Sequence, residues 1–322
     1  MTIDSIRALV SEDFDAVNTL IINNLQSQIG LIDDLSNHII SSGGKRLRPL
    51  IVLLSAHACN YKGGYHIPLA AMVEFFHTAT LLHDDVVDES TLRRGQETAN
   101  EIWGSKASIL VGDYLFTQSV KLMVDTGVQS VLKLMASSSH EITRGEVKQL
   151  VYRNNPNLEL DTYFDIIKSK TSVLFAASAC IGALISQQPP AIERAMYEYG
   201  LHLGNAFQMV DDALDYCADS QQLGKNIGDD LADGKATMPL IHAYRTGTPA
   251  HRELIEESLK LGQVENLSAI QEALEATNAI QYTLDYARSE IDTAINTLLV
   301  LPDSHHKRAL IDLAMFAVNR TH

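Results

Sequence analysis

Cysteine is scarce in this 322-residue chain, and the three present, Cys59, Cys180 and Cys217, form no C-x-x-C pair. Two of them lie in apolar surroundings, which argues against zinc ligation or a disulfide framework and for reduced thiols in the cytoplasm. Positive charge is also short. Twenty-five Lys and Arg stand against 40 Asp and Glu, a formal net charge of −15. Such a chain repels phosphate backbones except at a local basic patch, so no nucleic-acid partner is expected. Alternating strand-like runs are rare, low-complexity linkers are absent and no repeat of solenoid length occurs. The best membrane candidate, residues 173–185, is too short to span a bilayer. Residues 1–15 carry acids and lack an apolar core flanked by lysines, so neither a signal peptide nor a transmembrane segment is expected. The expected location is the cytoplasm, with a peripheral membrane contact left open.

Apolar residues are plentiful, 46 % of the chain, and recur at three- and four-residue spacing, as in Ile6, Leu9, Val10 or Leu284, Ala287, Ile291, Ile295. Breaks fall near residues 61–68, 153–157, 187–191, 247–250 and 302–305. This periodicity predicts a nearly all-α chain with residues 1–322 in one domain.

Against that background one motif stands out, because it occurs twice. Asp84-Asp85-Val86-Val87-Asp88 is echoed by Asp211-Asp212-Ala213-Leu214-Asp215, and each copy follows an apolar stretch, residues 75–82 and 206–210. On a helix the first and fifth residues of D-D-x-x-D share a face, so three carboxylates converge. Like charges packed that closely raise one another's pKa and destabilise the fold unless a cation joins them. All-oxygen donors favour Mg²⁺, which borrows further ligands from substrate phosphates. Two such clusters on facing helices would form a well for a metal-bridged diphosphate. A solvated helix start is the bland alternative, and the apolar flanks of both copies weigh against it.

Basic residues surround the first cluster. Gly43-Gly44-Lys45-Arg46-Leu47-Arg48-Pro49 precedes the apolar run 50–54, and Arg93-Arg94-Gly95 follows Asp88. Glycines let backbone amides approach an anion, while Lys and Arg supply a point charge and a bidentate fork. Lys168-Ser169-Lys170-Thr171 opens a long uncharged segment, and Gln208 lies on the helical face of Asp211 and Asp212. Two glycine-flanked lysines, Lys225 and Lys235, come next. The stretch from Gly228 to Ala236 fails as a P-loop: five residues instead of four separate the glycines, and Ala236 stands where Ser or Thr belongs.

In order and spacing, G-G-K-R-x-R-P, D-D-x-x-D-x-x-x-x-R-R-G, Lys170-Thr171, Gln208 with the second D-D-x-x-D, and G-K-N-x-G-D-D-L-x-x-G-K-x-T-x-P-L resemble the trans-isoprenyl diphosphate synthase family. The resemblance runs from about residue 42 to about residue 240. It implies an isoprenoid synthase helical bundle around a central active-site cavity, and Mg²⁺-dependent head-to-tail condensation of isopentenyl diphosphate onto an allylic diphosphate. Asp84, Asp85, Asp88, Asp211, Asp212 and Asp215 would hold about three Mg²⁺ ions. Arg93, Lys170, Lys225 and Lys235 would contact the allylic diphosphate, Thr171 and Gln208 would also bind substrate, and Lys45, Arg48, His77 and Arg94 would hold the diphosphate of isopentenyl diphosphate. Arg46 has no assigned role. Catalysis would rest on Asp84, Asp85, Asp88, Asp211, Asp212, Lys170 and Lys235, because stabilising charge on the departing diphosphate frees an allylic cation for attack. No Ser, Cys or His nucleophile is needed, and His83 reads better as a packed residue than as a base. Intact acidic motifs argue against a non-catalytic subunit, and the basic site for a second diphosphate argues against a terpene cyclase.

The resemblance also implies a homodimer, consistent with surplus apolar positions in residues 108–124. It favours a farnesyl primer and a product of eight five-carbon units for quinone side chains, with shorter farnesyl or geranylgeranyl products as the alternative. Residues four and five before the first motif, Thr80 and Ala79, are small and leave the product path open. Phe76 would narrow it further down, and Met123 and Met135 would form its floor.

Overall fold

The computed structural model describes residues 2–41, 44–217, 228–262 and 264–319. Helices dominate them, and local sequence explains where several begin and end. Thr2 caps Ile3–Ala8 by accepting from the Ser5 amide at 3.3 Å. Thr248 caps Pro249–Leu261 through the His251 amide at 3.2 Å; that helix starts on proline, whose missing N–H would go unpaired there anyway. It stops at Gly262, whose φ of +60° suits the left-handed C-terminal cap.

The chain divides into two compact units. The first comprises Met1–Ser137, Phe175–Glu198 and Thr297–Leu313. In it Leu47–Ala58 is apolar on every side, and Leu50, Ile51, Val52, Leu53 and Leu54 are all fully buried. The first aspartate helix, His66–Val87, packs most extensively against Ser105–Asp125. Their close approach depends on Gly112, where a Cβ would lie 2.4 Å from His83 Nε2. His83 fills that space, donates to the Ile109 carbonyl at 3.2 Å and lies 3.4 Å from Asp113, a packed and hydrogen-bonded residue. Beyond the aspartate helix the chain makes a short hairpin, Leu92–Arg93 against Gln96–Glu97, instead of a plain loop. Arg94 and Gly95 form its turn, both with positive φ (54° and 75°), as a two-residue turn matched to strand twist requires.

The second unit comprises Ser138–Leu174, Tyr199–Asn296 and Ala314–His322. Here Leu160–Ile167 passes into a π-helical turn, Lys168–Ser172, before Val173–Ile185. The turn is wedged between two glycines. A Cβ on Gly145 would lie 2.9 Å from the Lys170 amide nitrogen, and one on Gly204 would lie 2.5 Å from Ser172 Cα. Ser172 Oγ donates to Asn205 Oδ1 at 2.6 Å and fixes the wider turn from one side.

The continuous helix Leu160–Ile185 has 26 residues, not the 13 of the apolar run alone. By length and composition it is apolar enough to cross a membrane, but 89 % of its most apolar window is buried, as in a core helix.

Gly204→Ala sets two effects against each other. Helix propensity gains about 1 kcal/mol, whereas a methyl pressed on backbone costs about 1–3 kcal/mol or more. The backbone contact wins, so the thermal midpoint should fall by roughly 2–6 °C. Gly64→Ala, which meets nothing within 4 Å, should leave the midpoint unchanged in the same calorimetric scan.

Candidate active site

The first aspartate motif closes its helix in the first unit. Asp85 is only 1 % exposed, and Arg93, delivered by the hairpin, grips it at two points: Nε to Oδ1 at 2.8 Å and Nη2 to Oδ1 at 2.6 Å, with Nε also 3.1 Å from Oδ2. Desolvation pulls the Arg93 pKa down, but the hydrogen bond and charge of Asp85, with Asp84 and Asp88 beside it, carry it above its ordinary value. Asp84 and Asp88 keep accessible surface.

A second constellation lies about two to three turns earlier along the same helix, where Arg48 from Leu47–Ala58 joins it. Arg48 Nη1 and His77 Nε2 are 3.0 Å apart. Because a guanidinium only donates, His77 accepts through Nε2 and carries its proton on Nδ1. The Arg48 guanidinium also lies over the Phe175 ring, 4.3 Å from its centroid. Glu74 shares this site and was not singled out from sequence, although it stands three residues before His77 and faces the same way. These groups keep some accessible surface, yet protein surrounds them closely. Desolvation lowers Arg48 to about 10 and lowers His77 well below its ordinary value, an effect that Arg48, Arg94 and Arg93 reinforce. Desolvation likewise raises the carboxyl of Glu74, opposed by Arg46, Arg48 and Arg94.

Gly44 lets the basic loop cross Arg94, for a Cβ there would meet Arg94 Nη1 at 2.7 Å. The Lys45 carbonyl accepts from Arg7 Nη2 at 2.5 Å. Arg46 takes a left-handed backbone and donates to Asn18 Oδ1, which gives it a structural task.

The second motif sits in Pro190–Cys217 in the second unit. Asp212 and Asp215 are 1 % and 0 % exposed. Desolvation pushes the Asp212 carboxyl up to about 8, and Asp230 and Asp211 add to that, against hydrogen bonds from Tyr163 and Gln208. Tyr163 Oη donates to Asp212 Oδ2 at 2.6 Å and Gln208 Nε2 to Oδ1 at 2.8 Å; Thr171 Oγ1 orients Gln208 by donating to Oε1 at 2.8 Å. Asp215 Oδ2 accepts from the Asp230 amide at 3.2 Å.

Asp212, Tyr163, Gln208, Thr171 and Asp230 line a cleft of about 620 Å³, open solvent included. Lys170 and Lys235 line it too. The π turn presents Lys170, whose Nζ donates to Glu146 Oε2 at 2.7 Å and Gln149 Oε1 at 2.8 Å. Lys235 Nζ donates to Asp233 Oδ2 at 2.7 Å. Gly234, at φ +66°, cannot carry a side chain: a Cβ would collide with Asn154 Oδ1. Lys225 lies outside the described residues. Tyr163 and Glu146 escaped the sequence reading because no motif marks them, and Asp230, inside the G-K-N-x-G-D-D-L motif, was given no role there.

The donor chemistry fits a hard dication. Each motif offers only carboxylate oxygens, and Asp212, raised to about 8, gives up its proton far more readily beside positive charge. When bound, Mg²⁺ supplies Lewis-acid stabilisation of charge on a departing diphosphate.

Of the product-path residues, Ala79, Phe76 and Met135 are buried, while Thr80 and Met123 are partly exposed. Phe76 lies against Phe116, ring centroids 5.8 Å apart. Thr80 Oγ1 donates to the His77 carbonyl at 2.8 Å.

Helical architecture and paired acidic motifs define the class, an all-α isoprenoid synthase that acts as a prenyltransferase. The sequence profile described as polyprenyl synthetase matches residues 30–277, and the chain belongs to that family. It is 44 % identical to the octaprenyl diphosphate synthase of Escherichia coli strain K12 over 321 residues, 99 % of each protein. To the geranyl-diphosphate-specific all-trans-nonaprenyl-diphosphate synthase of Rhodobacter capsulatus it is 40 % identical over 316 residues, covering 98 % of this chain and 97 % of the other. A polyprenyl synthase from Caulobacter crescentus CB15, solved with calcium and isoprenyl diphosphate, superposes with a TM-score of 0.97 at 41 % identity, covering 100 % of this chain and 98 % of that one.

Tyr163→Phe removes a donor from a buried carboxylate and adds nothing in return. Denaturant unfolding should show a loss of about 1–3 kcal/mol with helix content unchanged.

Proposed function

We propose that this polyprenyl diphosphate synthase makes octaprenyl diphosphate, extending a farnesyl primer with isopentenyl diphosphate for ubiquinone side chains. The observation that carries the division of labour is the separation of two kinds of anion site. Arg48, His77 and Arg94, with Glu74, form a basic site without the aspartate motif, suited to the diphosphate that stays on isopentenyl diphosphate. Lys45 belongs to the same loop. Asp84, Asp85, Asp88, Asp211, Asp212 and Asp215 ligate about three Mg²⁺ ions at the allylic diphosphate, which departs. Arg93, Lys170, Thr171, Gln208, Lys225 and Lys235 bind that same group. Loss of the diphosphate leaves an allylic cation, the isopentenyl double bond attacks it, and loss of a proton completes the five-carbon extension.

Asp84→Ala and Asp211→Ala should each lower turnover at least about 10³-fold, equivalent to about 4 kcal/mol of transition-state stabilisation. Arg48→Ala and Arg94→Ala should raise KM for isopentenyl diphosphate and change kcat little, because they bind the substrate that does not ionise. Steady-state kinetics with each substrate varied separates the cases. Near-native turnover in either aspartate variant removes the metal assignment, and an unchanged KM in both arginine variants removes the division of sites.

Likeness to the Escherichia coli enzyme supports eight units, as do the small residues Ala79 and Thr80. Phe76 against Phe116 is the feature that favours a shorter product. Chromatography of dephosphorylated products decides: a dominant 15- or 20-carbon alcohol establishes the shorter reading. Thr80→Phe should shorten the product, and an unaltered distribution would show that this helix does not line the path.

The functional unit proposed is a cytoplasmic homodimer built from one catalytic domain per chain. Ile109, Leu110, Phe116, Val120 and Val124 stand exposed on Ser105–Asp125, with Leu110 67 % accessible, and a second copy would cover them. Light scattering that returns the 35.4 kDa monomer mass at micromolar concentration rules the dimer out.

A further inference from the structure

Two imidazoles and a carboxylate meet in the first unit at the opposite end of the first aspartate helix. Asp13 comes from Ser11–Leu25, His57 from Leu47–Ala58, and His66 opens His66–Val87. His57 Nε2 lies 2.6 Å and His66 Nε2 3.0 Å from one oxygen, Asp13 Oδ2, and the three atoms all fall within 4.8 Å of one another. His66 and Asp84 share the helix but stand roughly 27 Å apart along it, so this cluster takes no part in the diphosphate chemistry.

We propose that Asp13, His57 and His66 bind a divalent transition-metal ion of the zinc class, with water as a fourth ligand. Zinc bonds of about 2.0–2.2 Å to nitrogen and oxygen place tetrahedral ligand atoms roughly 3.3–3.5 Å apart. The two nitrogen–oxygen separations, 2.6 and 3.0 Å, are within about 1 Å of that value, so small side-chain rotations that part the ligands suffice. Donor type selects the ion as well: imidazole suits zinc and its neighbours, whereas the all-oxygen aspartate motifs suit Mg²⁺. One chain can therefore hold two kinds of metal without competition between the sites.

The rings are also held in place. His57 stacks on His306, centroids 4.8 Å apart and planes 20° apart, and Tyr61 meets His66 edge-on at 5.6 Å. His66 is buried, and its Nδ1 makes no hydrogen bond among the described residues, so its one polar contact points into the cluster. Asp13 and His57 keep about a quarter to a third of their side chains accessible, which gives an ion a way in. Three ligands on three helices make the ion a clip for the amino-terminal part of the first unit.

The test uses full-length protein stripped with chelator and then held in excess Mg²⁺, which occupies the aspartate motifs. Co²⁺ should produce the visible absorption of a tetrahedral nitrogen-oxygen site, and one equivalent of Zn²⁺ per chain should displace it and raise the thermal midpoint. Asp13→Asn, His57→Gln and His66→Gln should each weaken Zn²⁺ binding at least tenfold. His57→Gln changes the most accessible of the three and guards against a variant that fails to fold. His305→Gln, beside the cluster but outside the ligand set, should bind as the parent does. Absence of tetrahedral cobalt absorption overturns the proposal and leaves a hydrogen-bonded cluster only. So does parental Zn²⁺ affinity in the three ligand variants, or equal weakening by His305→Gln, which marks adventitious surface binding.

Discussion

Burial of carboxylates within apolar helices is the constraint on which the rest of this structure depends. Asp85, Asp212 and Asp215 are nearly or wholly removed from water, and a buried carboxyl group left without partners, charged or neutral, is among the most destabilising features a fold can carry. Each is answered differently. Asp85 receives a two-point grip from Arg93, Asp212 a tyrosine hydroxyl and an amide, Asp215 a backbone N–H. The irregular elements are where the partners come from. A hairpin turning on Arg94-Gly95 brings Arg93 to Asp85. A π turn sets Thr171 against Gln208, and through it steadies Asp212. The left-handed Gly228 starts the short helix that aims the Asp230 amide at Asp215.

Much of this was legible in the sequence. Regular three- and four-residue periodicity marked the helices, and the D-D-x-x-D motifs declared themselves by repetition inside apolar runs. His83 was read as a packed residue for a general reason, its apolar neighbours, and it fills the notch at Gly112. What escaped reading has a common physical origin. Glu74 and Tyr163 act through tertiary neighbours, Arg48 and Asp212, that no local spacing predicts. A five-residue π turn at Lys168–Ser172 leaves no mark in a hydrophobic pattern, because it is sustained from outside by Gly145 and Gly204. The apolar run 173–185 was read as too short to span a bilayer because its length was counted from the apolar residues alone, whereas the helix continues back through the polar turn to Leu160.

Glycine carries much of the close fitting, at three positions with three different tasks. Gly112 admits a histidine ring, Gly204 admits backbone, and Gly234 supplies a left-handed bend beside Asn154. Loss of freedom at the first two is steric and at the third is also conformational. Basic residues show a similar division, since Arg46, in the middle of the loop motif, turns away to Asn18 and lends the site only its long-range charge.

His77 carries a consequence for how the basic site responds to its surroundings. Its partner Arg48 has no acceptor to offer, so the imidazole is confined to one tautomer, and desolvation together with three guanidinium groups keeps a second proton off it. Histidine is ordinarily the side chain that turns ambient acidity into a change of charge, and here that ability is silenced. The positive charge of this cluster therefore comes from its guanidinium groups, and the imidazole serves as a fixed hydrogen-bond acceptor that holds Arg48 in place.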